Sequence, residues 1–209
     1  MSLANKSSTE WFFRSFAIAA YVLVLWRMGD AWWQDTSRYS LLLLILTESF
    51  TLALVVFARR AVLRDASFVV IAASVFACSA FIFLQFRGTT RVIPESVGAA
   101  IQLTGLAWQC LAKAALGRAF GVLPAARRLV TTGPYRLVRH PIYMGYLISH
   151  IGFLLANFSI WNLFLLATLY LAQAVRMMRE EALLEASEFR SAYRSYRDQV
   201  RFRIVPFVY

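Results

Sequence analysis

Arg136, Arg139 and His140, flanked by Tyr135 and Tyr143, are the residues whose types and spacing offer chemistry. They lie in a cationic, turn-rich stretch running from Leu129 to Gly145. Guanidinium and imidazole groups beside aromatic faces suit an anionic or zwitterionic small molecule. Gly133-Pro134 and His140-Pro141 each interrupt regular structure, because Pro fixes φ and pushes the residue before it towards extended geometry. Two such breaks in so short a run predict a shaped loop. The same basic run also fits a positive-inside loop beside a membrane helix. A second polar block runs from Arg176 through Glu180 and Glu181 to Leu184. Arg176 and Glu180 are four residues apart and share a helical face. As an exposed ion pair they would contribute only ~0–1 kcal/mol.

The elements between these blocks must position them. Ile142 to Met178 is mainly apolar and too long for one vertical span, given that ~20 residues cross a bilayer. Ala156-Asn157-Phe158-Ser159 reads as a turn within it. A helical hairpin is expected, with arms at about Ile142 to Leu155 and Ile160 to Met178, the shorter first arm tilted or not fully crossing. Such a hairpin leaves the first polar block and returns at the second, so it brings the two together on one membrane face. The charged segment from Arg176 to Arg203 has Leu183, Leu184, Phe189, Tyr193, Tyr196 and Val200 largely at three- and four-residue steps, predicting an amphipathic helix that ends before Pro206.

Composition sets the class. The 209 residues are 60% hydrophobic and 16% charged, with a net charge of +11, and mean hydropathy is +0.59. This predicts an integral membrane protein. The arginines fall mostly between apolar runs, so anionic lipid headgroups, not nucleic acid, are the expected counter-charge. The fold expected is all-α and polytopic, one membrane domain over 1–209. Four transmembrane helices (about Trp11 to Met28, Tyr39 to Ala58, Ser67 to Phe86 and Val97 to Leu116) fill 1–116. The loop, hairpin and cytoplasmic helix fill 117–209. Gly29 to Arg38 is read as a loop with Trp32 and Trp33 as interfacial anchors. No removed signal peptide is read at the N-terminus. The basic loops at Arg59 to Arg64 and Gly117 to Arg139 and the basic C-terminal segment predict a multi-pass protein of a bacterial inner membrane, with that loop and the C-terminus cytoplasmic.

Several interior polar groups need an account. Glu48 near the middle of the second span is costly unless it faces protein or water, and a neutral or hydrogen-bonded packing role is favoured. Gln102 and Gln109 share a helical face that either borders a polar cavity or bonds another helix. His150 is expected to be a hydrogen-bonded packing histidine. Cys78 and Cys110 lack metal or disulfide spacing, so no metal site is expected.

Gly133-Pro134-Tyr135, then Arg139-His140-Pro141-x-Tyr143-x-Gly145, then Glu180-Glu181 with Tyr193, Tyr196 and Pro206, resembles the isoprenylcysteine carboxyl methyltransferase family and the wider group of phospholipid methyltransferases. The resemblance covers roughly Gly117 to Pro206. It departs from the family pattern at Arg190, which follows Phe189, and in the histidine-free run Phe120 to Arg128. It implies an integral membrane methyltransferase that uses S-adenosylmethionine and releases S-adenosylhomocysteine, acting on a lipophilic small-molecule or lipidated substrate from the bilayer. By similarity, Tyr135, Arg139, His140, Pro141, Tyr143, Gly145, Glu180 and Glu181 would form the cofactor site. Arg176 is expected to steer an anionic acceptor and Glu180 to orient Arg176 or the cofactor. The acceptor atom, O, N or S, stays open. Two other readings remain: an NADPH-dependent membrane reductase of the sterol-reductase type, and a non-catalytic membrane scaffold.

Overall fold

A computed structural model describes residues 6–57, 67–116 and 129–208. The arginines at 59, 60 and 64 and the run Gly117 to Arg128 lie outside the described residues. Among those described, the regular structure is helical: α1 Lys6–Gln34, α2 Tyr39–Phe57, α3 Phe68–Ser79, α4 Glu95–Leu116, α5 Pro141–Ala156, α6 Ile160–Glu185 and α7 Arg190–Gln199, with short 3-10 turns at Ala80–Phe83 and Gly133–Arg136. Two helices, Tyr39–Phe57 and Ile160–Glu185, are long and apolar enough to cross a membrane.

Three expected boundaries move. α1 does not stop at Met28 but continues through Trp32 and Trp33 to Gln34. A lone Gly29 costs a helix only about 1 kcal/mol, and the turn falls instead at Asp35 to Arg38, where Asp35 accepts from the Ser37 amide and hydroxyl. The third apolar run tightens into a 3-10 turn at Ala80–Phe83 and leaves helical geometry at Leu84. The charged C-terminal segment is two pieces, not one helix from Arg176 to Arg203. α6 continues to Glu185, and Ser187 then caps the break by donating to the Leu184 carbonyl and accepting from the Phe189 amide. A serine that hydrogen-bonds its local backbone competes with helix continuation.

The helices run up and down between two ends. At one end the connections 35–40, 84–95 and 156–162 are clasped together. Arg38 donates to the Phe86 carbonyl and to Asn157 Oδ1. Asn157 donates to Ser40 Oγ at 2.8 Å, and Ser40 binds Glu95. Asn162 bonds the Gln85 backbone in both directions at 2.9 Å. A dry core lies next to this clasp, built from Val24, Met28, Leu41, Leu44, Phe81, Leu84, Phe153, Leu166 and Leu169. Towards the other end the interior turns polar: Glu48, Thr51, Gln109, Lys113, Ser149 and His150 are all buried. The hairpin arms α5 and α6 meet at their tip but then diverge, with α5 packed mainly on α4 and α6 on α3.

The α4–α5 contact is close enough to bring backbones together. A Cβ on Gly105 would lie 2.6 Å from the Ser149 amide nitrogen and 2.7 Å from the Gly145 carbonyl oxygen, distances no real side chain holds. Gly145 fits reciprocally, 2.9 Å from the Gly105 carbonyl oxygen. Small residues at such crossings let apolar helices pack in a medium that gives them no hydrophobic drive. Gln109 donates to Ser149 Oγ at 3.3 Å, and Ser149 donates to the Gln102 carbonyl at 3.2 Å, so the glutamine face bonds α5. Gly105→Ala is expected to destabilise the protein by about 1–3 kcal/mol through overpacking. Gly29→Ala, with nothing within 4 Å of the added Cβ, is expected to stabilise by about 0.5–1 kcal/mol. Denaturant titration in detergent micelles measures both, and equal effects would refute the close crossing.

Candidate active site

The site is assembled at the polar end from the loop ahead of α5, the C-terminal turns of α6, and the chain after α7. Gly133 adopts φ +61°, left-handed geometry suited to glycine, and Pro134 opens the 3-10 turn. Pro141 occupies the first turn of α5, where its missing N–H costs nothing. His140 is thereby held at the junction of loop and helix. Its amide donates to the Arg203 carbonyl at 2.8 Å, and the Arg139 amide donates to the Phe202 carbonyl at 2.9 Å. The tail beyond α7 thus lies along the loop as a short extended strap.

Glu181 stands at the centre. His140 Nε2 lies 3.1 Å from its Oε1, Arg139 Nη1 lies 3.1 Å from the same oxygen, and Arg203 Nη2 lies 3.1 Å from Oε2. Arg203 Nε adds a bond of 3.2 Å to Oε2. One buried carboxylate therefore collects two guanidinium groups and an imidazole from segments 22 and 41 residues away in sequence. Beneath it, Tyr135, Val130, Tyr193, Tyr196 and Val200 form a small apolar core, and Tyr196 donates to the Tyr135 carbonyl at 2.7 Å. Burial pushes the Tyr193 phenol well above its ordinary range, and Glu181 adds to that. Burial does the same to Tyr135, reinforced by Glu180. Both phenols stay neutral and act as packing and hydrogen-bonding groups.

The expected site residues divide into two sets. Arg139, His140, Pro141 and Glu181, with Tyr135, form the frame, each already engaged in bonds or packing. Gly145 belongs to neither the loop nor an open surface. It is buried against α4, where Gln109 and the Gly105 backbone fill the space a Cβ would need, so its smallness serves helix packing. Tyr143, Arg176 and Glu180 form the second set. They are half-buried, and Tyr143 and Arg176 are surrounded by protein while keeping accessible surface, as residues lining a cleft do. Tyr143 and Glu180 lie within electrostatic reach of Arg176. Arg176 Nη1 donates to Gln173 Oε1 at 2.8 Å, one turn back on α6.

A row of aromatic rings continues into the bundle along α5. The His140 and Tyr143 rings are 5.8 Å apart, Tyr143 and Tyr146 are 6.5 Å apart, and Tyr146 stacks on His150 at 6.0 Å. His150 Nδ1 pairs with Tyr170 OH on α6 at 2.8 Å, the packing role expected of it. Sequence reasoning missed Arg203, whose only visible signal was a basic residue beyond the last helix. It also missed Tyr146 and Tyr170, which look like ordinary membrane aromatics until the arms diverge around them. Among the described residues no cluster of His, Cys, Asp and Glu is arranged to hold a metal ion. Cys78 and Cys110 are both free thiols.

Apolar helices thus carry a polar end at which the loop of Arg139 and His140 docks on Glu181. Residues 94–187 match the family model described as phospholipid methyltransferase. These residues, somewhat less than half of the chain, are similar to that family, in agreement with the resemblance carried by Arg139-His140-Pro141 and Glu180-Glu181. Members of that family generally use S-adenosylmethionine. No curated protein matches the chain.

The ion cluster carries a definite energetic expectation. Removing one partner of a buried pair costs about 3–5 kcal/mol because the other charges stay behind unpaired. Arg203 is partly exposed, which places Glu181→Ala near the lower end of that range. Glu181→Ala is therefore expected to lower unfolding free energy by about 3 kcal/mol. Arg197→Ala, which breaks the exposed Glu185 pair, should cost ~0–1 kcal/mol. Equal losses in the two variants, measured by denaturant titration, would show that Glu181 does not organise the site.

Proposed function

We propose that the protein transfers a methyl group from S-adenosylmethionine to a lipophilic acceptor at the cytoplasmic face of a membrane. The single observation that supports this best is the 3.1 Å contact between His140 and Glu181, which brings the two halves of the family motif to one end of the bundle. In this reading α1, α2, α3 with its 3-10 turn, and α4 all cross the bilayer ahead of the hairpin. The basic character of the same end, with Arg136, Arg139, Arg179 and Arg203, favours its being cytoplasmic.

The side chains bordering the cleft fit the proposed cofactor. Its cationic groups suit the Glu180 carboxylate and the face of Tyr143, and its carboxylate suits a guanidinium. Arg139, His140, Pro141, Tyr135 and Glu181 hold the walls of that site, so little ordering would be lost on binding. When bound, the cofactor supplies a methyl carbon made electrophilic by an adjacent sulfonium.

The chain's own residues then have three tasks. Tyr143 and Glu180 hold the donor end of the cleft. Arg176, one turn deeper on α6, steers and orients an acceptor bearing negative charge. The apolar helices around them exclude water, which strengthens each of these electrostatic contacts. A carboxylate or thiolate acceptor needs no base, so alignment supplies most of the rate. An amine acceptor must lose a proton, and the Glu180 carboxylate would be the group to take it.

Calorimetry on the detergent-purified protein with S-adenosylmethionine, S-adenosylhomocysteine and NADPH tests the reading. Binding of the first two and not the third is expected. NADPH binding alone would point to a membrane reductase, and no binding to a scaffold. In a radiolabelled-methyl assay on native membranes, Arg176→Ala is expected to lose at least tenfold in turnover, about 1.4 kcal/mol of transition-state stabilisation, with S-adenosylhomocysteine affinity retained. Glu180→Gln should weaken that affinity instead. An Arg176→Ala protein that folds and turns over normally would remove Arg176 from the mechanism.

A further inference from the structure

The polar interior extends past the motif residues to helices that the family match does not cover. Glu48 sits on α2, outside residues 94–187, and is only 2% exposed. Among the described residues its Oε1 has no hydrogen-bond partner. Lys113 acts on it electrostatically from α4, Tyr21 from α1, Cys78 from α3 and Tyr170 from α6. The carboxyl group therefore faces the middle of the bundle. Lys113 has its own partners there: Thr51 Oγ1 and Gln109 Oε1, each at 3.3 Å, and the rings of Phe50 and Tyr146 at 4.8 and 4.9 Å. What this cluster lacks, among the described residues, is a donor for Glu48 Oε1. A buried acceptor left without one costs about 1–3 kcal/mol, so the position is costly unless something arrives to complete it.

The diverging arms α5 and α6 flank this point. Tyr143, Tyr146, Tyr170 and Gln173 on these arms are half-buried. Thr51 Oγ1 lies 3.2 Å from Tyr146 OH, and Glu48 is three residues before Thr51 on the same helix. Tyr146 is likewise three residues beyond Tyr143 on α5. At 1.5 Å per residue these two steps put Glu48 about 9 Å deeper in the bundle than Tyr143. Tyr21 joins the two levels, lying within reach of Glu48, Tyr146 and Arg176.

We infer that Glu48 selects the acceptor: its free carboxylate oxygen accepts a hydrogen bond from a hydroxyl or protonated amine carried by the lipophilic substrate, about 9 Å deeper in the bundle than Tyr143. The inference rests on the methyl-transfer reading for the identity of the site, but the donor preference can be measured without any turnover. Tyr21 and Tyr170 stand near the same carboxyl group and would limit the bulk of an apolar group beside it. The N-terminal helices thereby set specificity, while the domain spanning 94–187 supplies the donor end.

The test uses the full chain in phosphatidylcholine nanodiscs and three probes of equal length: 1-dodecylamine, 1-dodecanol and 1-methoxydodecane, which has no donor. Affinity is read from the concentration dependence of the thermal midpoint. The amine or the alcohol should bind at least tenfold tighter than the ether, and Glu48→Leu should erase that preference. Glu48→Gln keeps a neutral acceptor oxygen, so retained alcohol binding with lost amine binding identifies a hydroxyl partner for the neutral site and an ammonium partner for the charged one. Tyr21→Phe serves as a second variant should Glu48→Leu fail to fold, with a loss of at least threefold in the same preference expected. Equal binding of all three probes to the unaltered protein, or an unchanged preference in a folded Glu48→Leu protein, would overturn the inference and leave Glu48 as a packing residue. S-adenosylhomocysteine affinity should stay within twofold in every variant. If the unaltered chain fails to bind it while still preferring a donor probe, the methyl-transfer reading fails and the Glu48 pocket stands.

Discussion

The buried carboxylate of Glu181 is the contact on which the polar end depends. It is met by Arg139, His140 and Arg203 at about 3.1 Å each. These groups come from a loop, a helix cap and a tail that share no secondary structure. Without that carboxylate, three cationic or ionisable groups would face one another in a poorly solvated place. The strap hydrogen bonds from Arg139 and His140 to residues 202 and 203 align the backbones that carry the same side chains. Charge and backbone geometry thus reinforce one another, as expected where every level of structure favours one arrangement.

The bundle answers a different constraint at each end. Near the clasp of Arg38, Asn157 and Asn162, apolar side chains fill the interior. Towards Glu181, helices α4 and α5 approach at backbone distance through Gly105 and Gly145, while α6 swings away to pack on α3. The close α4–α5 crossing is what gives the hairpin its divergence: α5 is fastened to one neighbour and α6 to another, so the space between them stays lined with tyrosines. A hairpin with its arms packed on each other would have closed that space.

This division of labour also separates residues that hold a site from those that meet a ligand. A fully engaged group such as Glu181 makes a poor ligand contact, because a new partner would have to displace an existing bond of similar strength. Tyr143, Arg176 and Glu180 keep accessible surface and lie close enough to act together. Glu48 extends the same logic into helices beyond the matched domain, where an acceptor oxygen without a donor marks a position that a substrate can complete.

Much of this was legible in the chain alone. Hydropathy and the arginine distribution disclosed an apolar helical protein with its basic residues gathered between spans, because burying charge in hydrocarbon is costly wherever it occurs. The pair of Pro breaks located the loop, since proline restricts φ regardless of surroundings. The turn at Asn157 then implied that the loop and Glu180-Glu181 return to the same end. Other features needed the folded arrangement. That Glu181 binds while Glu180 stays open depends on a rotation of 100° per residue around α6 relative to neighbours the chain does not name. That Gly145 packs on α4, that Arg203 joins the cluster, and that α6 runs unbroken to Glu185 follow from contacts between segments tens of residues apart. Local propensity is blind to such contacts, because their energies arise only when distant parts of the chain meet.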